Sequence, residues 1–366
     1  LDLFLPSYVD YDPAYNVYFK PDGFPAASAY LPTEPRFYHN NGDGTFTDVS
    51  RAAGIANPAG KGLGVAFGDV DQDGWSDIYV ANDGVRNFLY RNKGDGAFED
   101  IAYGAGVGFD AHGKPQAGMG TEIADYDGDG RPDIFVTNFS EELNTLYRNL
   151  GEGIFEDVSE KAGLSSGFLT LGFGTRLFDF DNDGDLDIYV TNGHVIDNVE
   201  LYNPRLQYRQ KDLLYENTGG GRFRDVSAES GPAFRVEHVG RGAAAGDFDN
   251  DGDLDLAVSD CGGRALLLRN DGGNRNHWIA IAARGEKSNR FGYGARVRVA
   301  ARGRTQLKEI TPVGSYLSSS DLRLHFGVGR ETAARVEVWW PSGRKQVLER
   351  VRVDRVVVLE EPGAPR

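Results

Sequence analysis

The sequence predicts an all-β protein, with β-propeller blades (about five represented here) followed by a small β-sandwich or barrel. Three observations carry this expectation. One Asp-rich frame recurs four times, at intervals of 56, 54 and 68 residues, a period that belongs to propellers and solenoids. Glycine occurs 49 times in 366 residues and methionine once, a composition suited to short strands and tight turns. After residue 273 the frame stops, but alternating strand-like runs continue.

Each repeat resolves into four strands. Gly62/Gly64, Gly118/Gly120, Gly172/Gly174 and Gly240/Gly242 precede the Asp-rich loops. Glycine weakens a strand unless another backbone comes close, so these segments are expected to be crowded inner strands near a propeller axis. After each loop comes an apolar run, Ile78 to Val80, Ile134 to Val136, Ile188 to Val190 and Leu256 to Val258, which suits a second strand buried on both faces. The third strand reads Phe88 to Asn92, Thr145 to Asn149 and Leu213 to Asn217, and runs into glycine turns such as Gly94/Gly96. Phe46, Phe98, Phe155 and Phe223 open the fourth. At the start of the chain, Leu1 to Leu5 align with Leu186 to Val190, so Asp2 is expected to end a truncated loop. The expected inventory is one blade without its first strand, three complete blades and a fifth that degrades after Asn270 to Gly273, with further blades upstream of this sequence.

The loops carry the chemistry. Their frame, Asp-x-Asp-x-Asp-Gly-x-x-Asp, is filled by Asp69, Asp71, Asp73, Gly74 and Asp77, and by Asp125, Asp127, Asp129, Gly130 and Asp133. It recurs as Asp179, Asp181, Asp183, Gly184 and Asp187, and as Asp247, Asp249, Asp251, Gly252 and Asp255. Ca²⁺ takes six to eight oxygen ligands, and alternating Asp residues around a glycine turn bring carboxylates to one side. Position seven, held by Trp75, Arg131, Asp185 and Asp253, is expected to offer a backbone carbonyl. An EF-hand needs a Glu at position twelve, where this chain has Val80, Val136, Val190 and Val258. Mg²⁺, which keeps its waters and demands an octahedron, suits the frame less well. The expectation is therefore about four complete Ca²⁺ sites and one truncated at Asp2, structural in role because each blade repeats them.

Phe67-Gly68-Asp69 and its loop resemble the FG-GAP or VCBS-type repeat of integrin-like propellers, a resemblance that covers residues 1–273. It implies a propeller of about seven blades in the intact protein, with Ca²⁺ in the hairpin between the first two strands of each blade. Further on, Asn276-His277-Trp278, Ser288-Asn289-Arg290, Gly294 to Val297, His325-Phe326-Gly327 and Trp340 to Gly343 resemble the ASPIC/UnbV domain, over residues 274–360, with 361–366 expected as a tail. That domain accompanies FG-GAP repeats in the cartilage acidic protein family. The resemblance implies an extracellular or periplasmic location and supplies no activity.

Net charge of −16 argues against nucleic acid, whose phosphates need clustered Lys and Arg. No apolar run reaches the ~20 residues that span a bilayer. The single cysteine, Cys261, allows no intrachain disulfide and is expected to be a small buried apolar residue. Two inserts interrupt the repeat. Ser7 to Asn40 contains Tyr8, Tyr11, Tyr15, Tyr18, Phe19, Phe24 and Tyr30, which suit a protein or glycan contact or simply cover a blade. Gly193 to Asp212 contains His194, Tyr202, Arg205 and Tyr208, a second candidate contact face, although neither His194 nor His112 has an evident catalytic partner. No nucleophile elbow, phosphate loop or zinc-type cluster is evident. The expected function is a Ca²⁺-rigidified binding or scaffold module for a protein or glycan, not an enzyme. A Ca²⁺-assisted polysaccharide lyase and a peripheral subunit of a membrane-associated complex are the alternatives.

Overall fold

A computed structural model describes residues 1–11, 27–301, 303–311 and 313–363. The chain is all-β, and its first eighteen strands form five antiparallel sheets. The opening sheet comprises β1 (Leu3–Leu5), β2 (Arg36–Asn40) and β3 (Phe46–Asp48). Three four-stranded meanders follow. The first is β4 (Gly62–Gly68), β5 (Asp77–Asn82), β6 (Phe88–Asn92) and β7 (Phe98–Asp100). The second is β8 (Thr121–Ala124), β9 (Asp133–Val136), β10 (Thr145–Gly151) and β11 (Ile154–Asp157). The third is β12 (Gly172–Phe178), β13 (Asp187–Asn192), β14 (Leu213–Asn217) and β15 (Phe223–Asp225). The fifth sheet has β16 (Gly240–Gly246), β17 (Asp255–Asp260) and β18 (Leu266–Leu268) among the described residues. These sheets are the propeller blades.

Burial explains the strand order. Every residue of β5, β9 and β13 is buried, because each lies between the cores on the two faces of its own sheet. One such core joins Tyr79 and Leu89 of one blade to Ile134 and Tyr147 of the next. The inner strands approach through glycine, since a Cβ on Gly64 would collide with the Met119 carbonyl and one on Gly120 with the Phe173 carbonyl. Two four-residue helices, α1 (Ala102–Ala105) and α2 (Ser159–Ala162), link successive blades and carry no clear signature in the sequence. Cys261, expected inside, is exposed, because it follows the last residue of β17 in a turn.

Beyond the blades, β19 (His277–Arg284) pairs with β22 (Leu324–Gly329) and, in parallel, with β25 (Arg355–Glu360). The second sheet orders β21 (Arg304–Glu309), β20 (Arg296–Ala301), β23 (Ala333–Trp339) and β24 (Lys345–Arg352). Ile279, Ile281, Val297, Val299, Phe326 and Val336 from both sheets share one core, which makes this unit a sandwich. Glu361, expected to open a tail, is 3% exposed and its Oε2 accepts the N–H groups of Glu286, Lys287 and Ser288. Burial opposes its ionisation, yet the Ser342 and Ser288 side of this nest of donors holds its pKa down to about 2.

The sandwich grips the blades through the segment 313–321. Ser315 pairs with Thr121 of β8 and its Oγ accepts the Thr175 N–H of β12 at 3.0 Å. Asp321 N–H then donates to Ala245 O at 3.0 Å, while Ser320 Oγ accepts Ala245 N–H at 2.9 Å. A Cβ on Gly242 would meet Ser318 Oγ, so this segment presses on β16 as Phe173 presses on Gly120.

Candidate metal centres and the channel mouth

Each Asp-rich loop is a nest of short-range hydrogen bonds. The first Asp accepts from a backbone N–H later in the loop: Gly74 to Asp69 at 3.0 Å, Gly130 to Asp125 at 2.9 Å, Gly184 to Asp179 at 2.8 Å and Asp251 to Asp247 at 3.1 Å. The fifth-position carboxylates of Asp73, Asp129, Asp183 and Asp251 accept the N–H of Trp75, Arg131, Asp185 and Asp253. Glycine at position six has φ between 88° and 104°, and position four is also left-handed at Gln72, Gly128, Asn182 and Asn250. Asn tolerates that region, which accounts for two of the four choices.

The ninth position has a second task that spacing alone did not reveal. Asp77 Oδ2 accepts Val70 N–H at 3.0 Å and Oδ1 accepts Asn92 N–H at 2.8 Å, tying the loop to the third strand. Asp133, Asp187 and Asp255 repeat the pair of bonds with Tyr126 and Asn149, Phe180 and Asn217, and Phe248 and Asn270. Asp2 Oδ1 likewise accepts Asn40 N–H at 2.8 Å. The Asn side chains then cross between blades: Asn149 Nδ2 donates to Val70 O, Asn217 Nδ2 to Tyr126 O and Asn270 Nδ2 to Phe180 O. The signal was the Asn that stands six residues before each fourth-strand phenylalanine, at Asn40, Asn92, Asn149 and Asn217, whereas its distance from the loop varies.

These bonds gather carboxylates. Oxygens of Asp69, Asp71 and Asp77 lie within 4.8 Å of one another, as do those of Asp125, Asp127 and Asp133 and those of Asp179, Asp181 and Asp187. In the fourth loop the cluster is Asp247, Asp249 and Asp251, and Asp255 keeps only its structural bonds in common with the others. Asp73, Asp129 and Asp183 stand outside the tight triplets. Burial pushes Asp77 up to about 7, Asp133 up to about 8 and Asp125 up to about 6, so these loops hold negative charge only at a cost. Asp69 Oδ1 is buried without a hydrogen-bond donor. Clustered hard oxygens, one of them orphaned, fit a hard cation such as Ca²⁺.

The sandwich lies over three of the four loops. Arg296 Nη1 meets Asp69 Oδ2 at 2.5 Å, Arg304 meets Asp185 at 3.1 Å, and His325 Nε2 meets Asn182 Oδ1 at 2.7 Å. The Trp278 ring sits against Gly252. The second loop is instead covered by Arg148, whose Nε reaches Asp127 Oδ2 at 2.7 Å. Asp253, expected to act through its carbonyl, also buries its side chain and accepts Asn274 N–H at 3.1 Å.

The family models agree with this architecture. The FG-GAP-like repeat matches residues 26–80, 69–136, 125–190 and 205–258, and the ASPIC and UnbV model matches residues 285–366. The chain belongs to the FG-GAP-like repeat family. Its FG-GAP blades and ASPIC and UnbV sandwich are similar to cartilage acidic protein 1 of Homo sapiens, 32% identical over 81% of this chain and 43% of that protein. The Mus musculus protein is 32% identical over 86% and 46%, so the chain spans less than half the length of these relatives. Among solved structures, an Agrocybe aegerita lectin specific for non-reducing terminal N-acetylglucosamine covers 87% of this chain and 76% of its own. The TM-score is 0.37 and the identity 17%.

The two inserts differ in what they expose. Tyr11 is 60% and Tyr202 59% exposed, while Tyr208 is half-buried. Tyr15, Tyr18, Phe19 and Phe24 lie outside the described residues. His194, offered as a surface contact, is instead 1% exposed, because its ring packs edge-on against Phe139 and its Nδ1 accepts Ile196 N–H at 3.0 Å. His112 is exposed. Both inserts reach one cavity of about 610 Å³ at the axis, the first through Tyr8, Ala27 and Ser28, the second through Val195 and Ile196. Among the described residues no helix is long and apolar enough to cross a membrane.

Proposed function

We propose that the chain is an extracytoplasmic binding or scaffold module whose blades are rigidified by Ca²⁺, and that it is not an enzyme. The observation that carries this reading is a carboxylate cluster at the same hairpin in four blades, of the first, third and ninth Asp in three loops and the first, third and fifth in the fourth, with the ninth-position Asp bonded into the blade in every copy. A site repeated in four blades and tied to backbone amides serves architecture. The ligand set assigned to Ca²⁺ is the first, third, fifth and ninth Asp of each loop with the carbonyls of Trp75, Arg131, Asp185 and Asp253, and Asp2 belongs to a further, partial loop. When bound, Ca²⁺ supplies the positive charge that lets these carboxylates stay ionised in a buried turn. Sites of Kd near ~10⁻⁴ M are filled at the millimolar Ca²⁺ outside cells, which supports an extracellular or periplasmic location. The division proposed is blades at residues 1–273, the sandwich at 274–360 and a tail at 361–366, a reading that the order of the sheets supports.

The partner is a protein or a glycan, held by the inserts. Affinity capture on the immobilised chain, with Ca²⁺ or with EGTA, tests this. A partner retained in stoichiometric amount with Ca²⁺ and released by EGTA is expected; catalytic turnover of a polysaccharide by the purified chain contradicts the reading.

A further inference from the structure

The cavity between the inner strands and Tyr316 of the sandwich segment has a composition that the Ca²⁺ loops do not explain. Its volume, about 610 Å³, lies within the size range of small-molecule sites, and Ser28, Gly84 and Val195 form an exposed rim. Two cations line it. Arg241 donates from Nη1 to Gly193 O at 2.9 Å and Gly240 O at 2.7 Å, and from Nη2 to His194 O at 3.2 Å. Lys61, 6% exposed, donates to Ala27 O at 2.6 Å. Among the described residues neither forms an ion pair, although the chain carries a net charge of −16. In a separate cavity beside the loops the arginines are matched: Arg176 with Glu122 and Arg296 with Asp69. Asp83 is the one carboxylate among the residues that line the cavity and Asp260 acts on Arg241 from nearby, yet the two cations hydrogen-bond neutral carbonyls, and buried positive charge of that kind is costly unless an anion completes the site. Burial also lowers the pKa of Arg241 from the ordinary arginine range.

The walls add a second kind of contact. The Arg241 guanidinium lies 4.1 Å over the Phe173 ring, and Tyr316 from the sandwich segment stands edge-on to Phe173 at 4.9 Å. Across the cavity Asp83 Oδ2 accepts the Tyr8 hydroxyl at 2.6 Å. A carboxylate tied to a phenol has lone pairs left for ligand hydroxyls, while aromatic faces suit C–H surfaces. An unmatched guanidinium suits a carboxylate.

We infer that this cavity binds a carboxylate-bearing sugar residue, its carboxylate at Arg241 and Lys61 and its hydroxyls at Asp83 and Tyr8. The inference rests on the reading of the chain as a binding module and names the ligand class; it does not depend on Ca²⁺ occupancy.

Titration calorimetry of the whole chain with D-glucuronate, D-glucose and acetate tests it. Saturable one-to-one binding of glucuronate is expected, about tenfold or more tighter than either comparison ligand, since each lacks one set of charged or hydroxyl contacts. Lys61→Gln and Arg241→Gln are each expected to weaken glucuronate about tenfold. Arg241 also holds three main-chain carbonyls, so thermal melting checks the fold of that variant, and Asp83→Asn supplies an independent probe that weakens the two sugars but not acetate. Absence of saturable glucuronate binding by folded protein overturns the inference. So does acetate binding as tightly as glucuronate, or glucuronate affinity unmoved by both cation variants. Capture of some other glycan or protein while glucuronate stays silent rejects this ligand class and leaves the binding-module reading standing.

Discussion

At the residue scale, the repeat is held together by side chains that serve two neighbours at once. Asn149 donates to Pro132 O in its own blade and to Val70 O in the preceding one, both at 2.8 Å. Asn149→Ala removes the donor from one buried and one half-buried carbonyl and is expected to cost about 1–3 kcal/mol in urea unfolding; unchanged stability contradicts the role. Asp212 is a second hub, accepting from Tyr189 Oη at 2.5 Å and Thr191 Oγ1 at 2.8 Å and facing His238 Nε2 at 2.7 Å. Burial disfavours protonated His238, but the Asp212 hydrogen bond and charge outweigh it and raise its pKa above the ordinary histidine value. A raised pKa stabilises the fold at low pH, and that contribution is lost as pH rises through the folded-state value. The melting temperature is therefore expected to fall as pH rises above the ordinary histidine range, with a shallower fall in Asp212→Asn. The gathering of loop carboxylates was legible because it is written as spacing, although which three of the four Asp residues come together was not. The two bonds of the ninth Asp, the burial of His194 and the exposure of Cys261 were not, because each depends on which distant element packs beside it.

At the element scale, glycine sets the distance between inner strands. Gly120→Ala places a methyl against the Phe173 carbonyl, a backbone atom with little room to yield, and is expected to destabilise by about 1–3 kcal/mol. Gly104→Ala, in α1 with open space around it, is expected to be neutral or stabilising by up to about 1 kcal/mol. Paired denaturation curves check the contrast, and equal effects contradict it. Strands β4 to β15 were readable from glycine pairs, apolar runs and phenylalanine spacing, all of them local periodicities. Helices α1 and α2 were not, since four residues hold too little pattern to distinguish from a turn. The grip of 313–321 on β8, β12 and β16 was equally hidden, because that segment follows no repeat and finds its partners more than 70 residues away.

At the scale of the whole molecule, the sandwich and the blades meet over the acidic loops. Arg296, Arg304 and His325 reach three loop residues directly, so the order of the loops and the seating of the sandwich are coupled. If each ion contributes about 1–2 kcal/mol at millimolar Ca²⁺, EGTA is expected to lower the melting temperature by several degrees and to expose the blade–sandwich interface to protease. The cavity proposed to take a ligand is lined by none of the loop residues, so its occupancy and that of the loops can be tested separately.

The most direct test of the central claim is the number of Ca²⁺ ions bound by the metal-stripped chain, counted by equilibrium dialysis with elemental analysis. The account predicts about four ions per chain, falling by one in Asp77→Asn and by two in the Asp77→Asn/Asp133→Asn double variant. Fewer than one ion per chain at millimolar Ca²⁺, in protein whose melting temperature EGTA leaves unchanged, would contradict it.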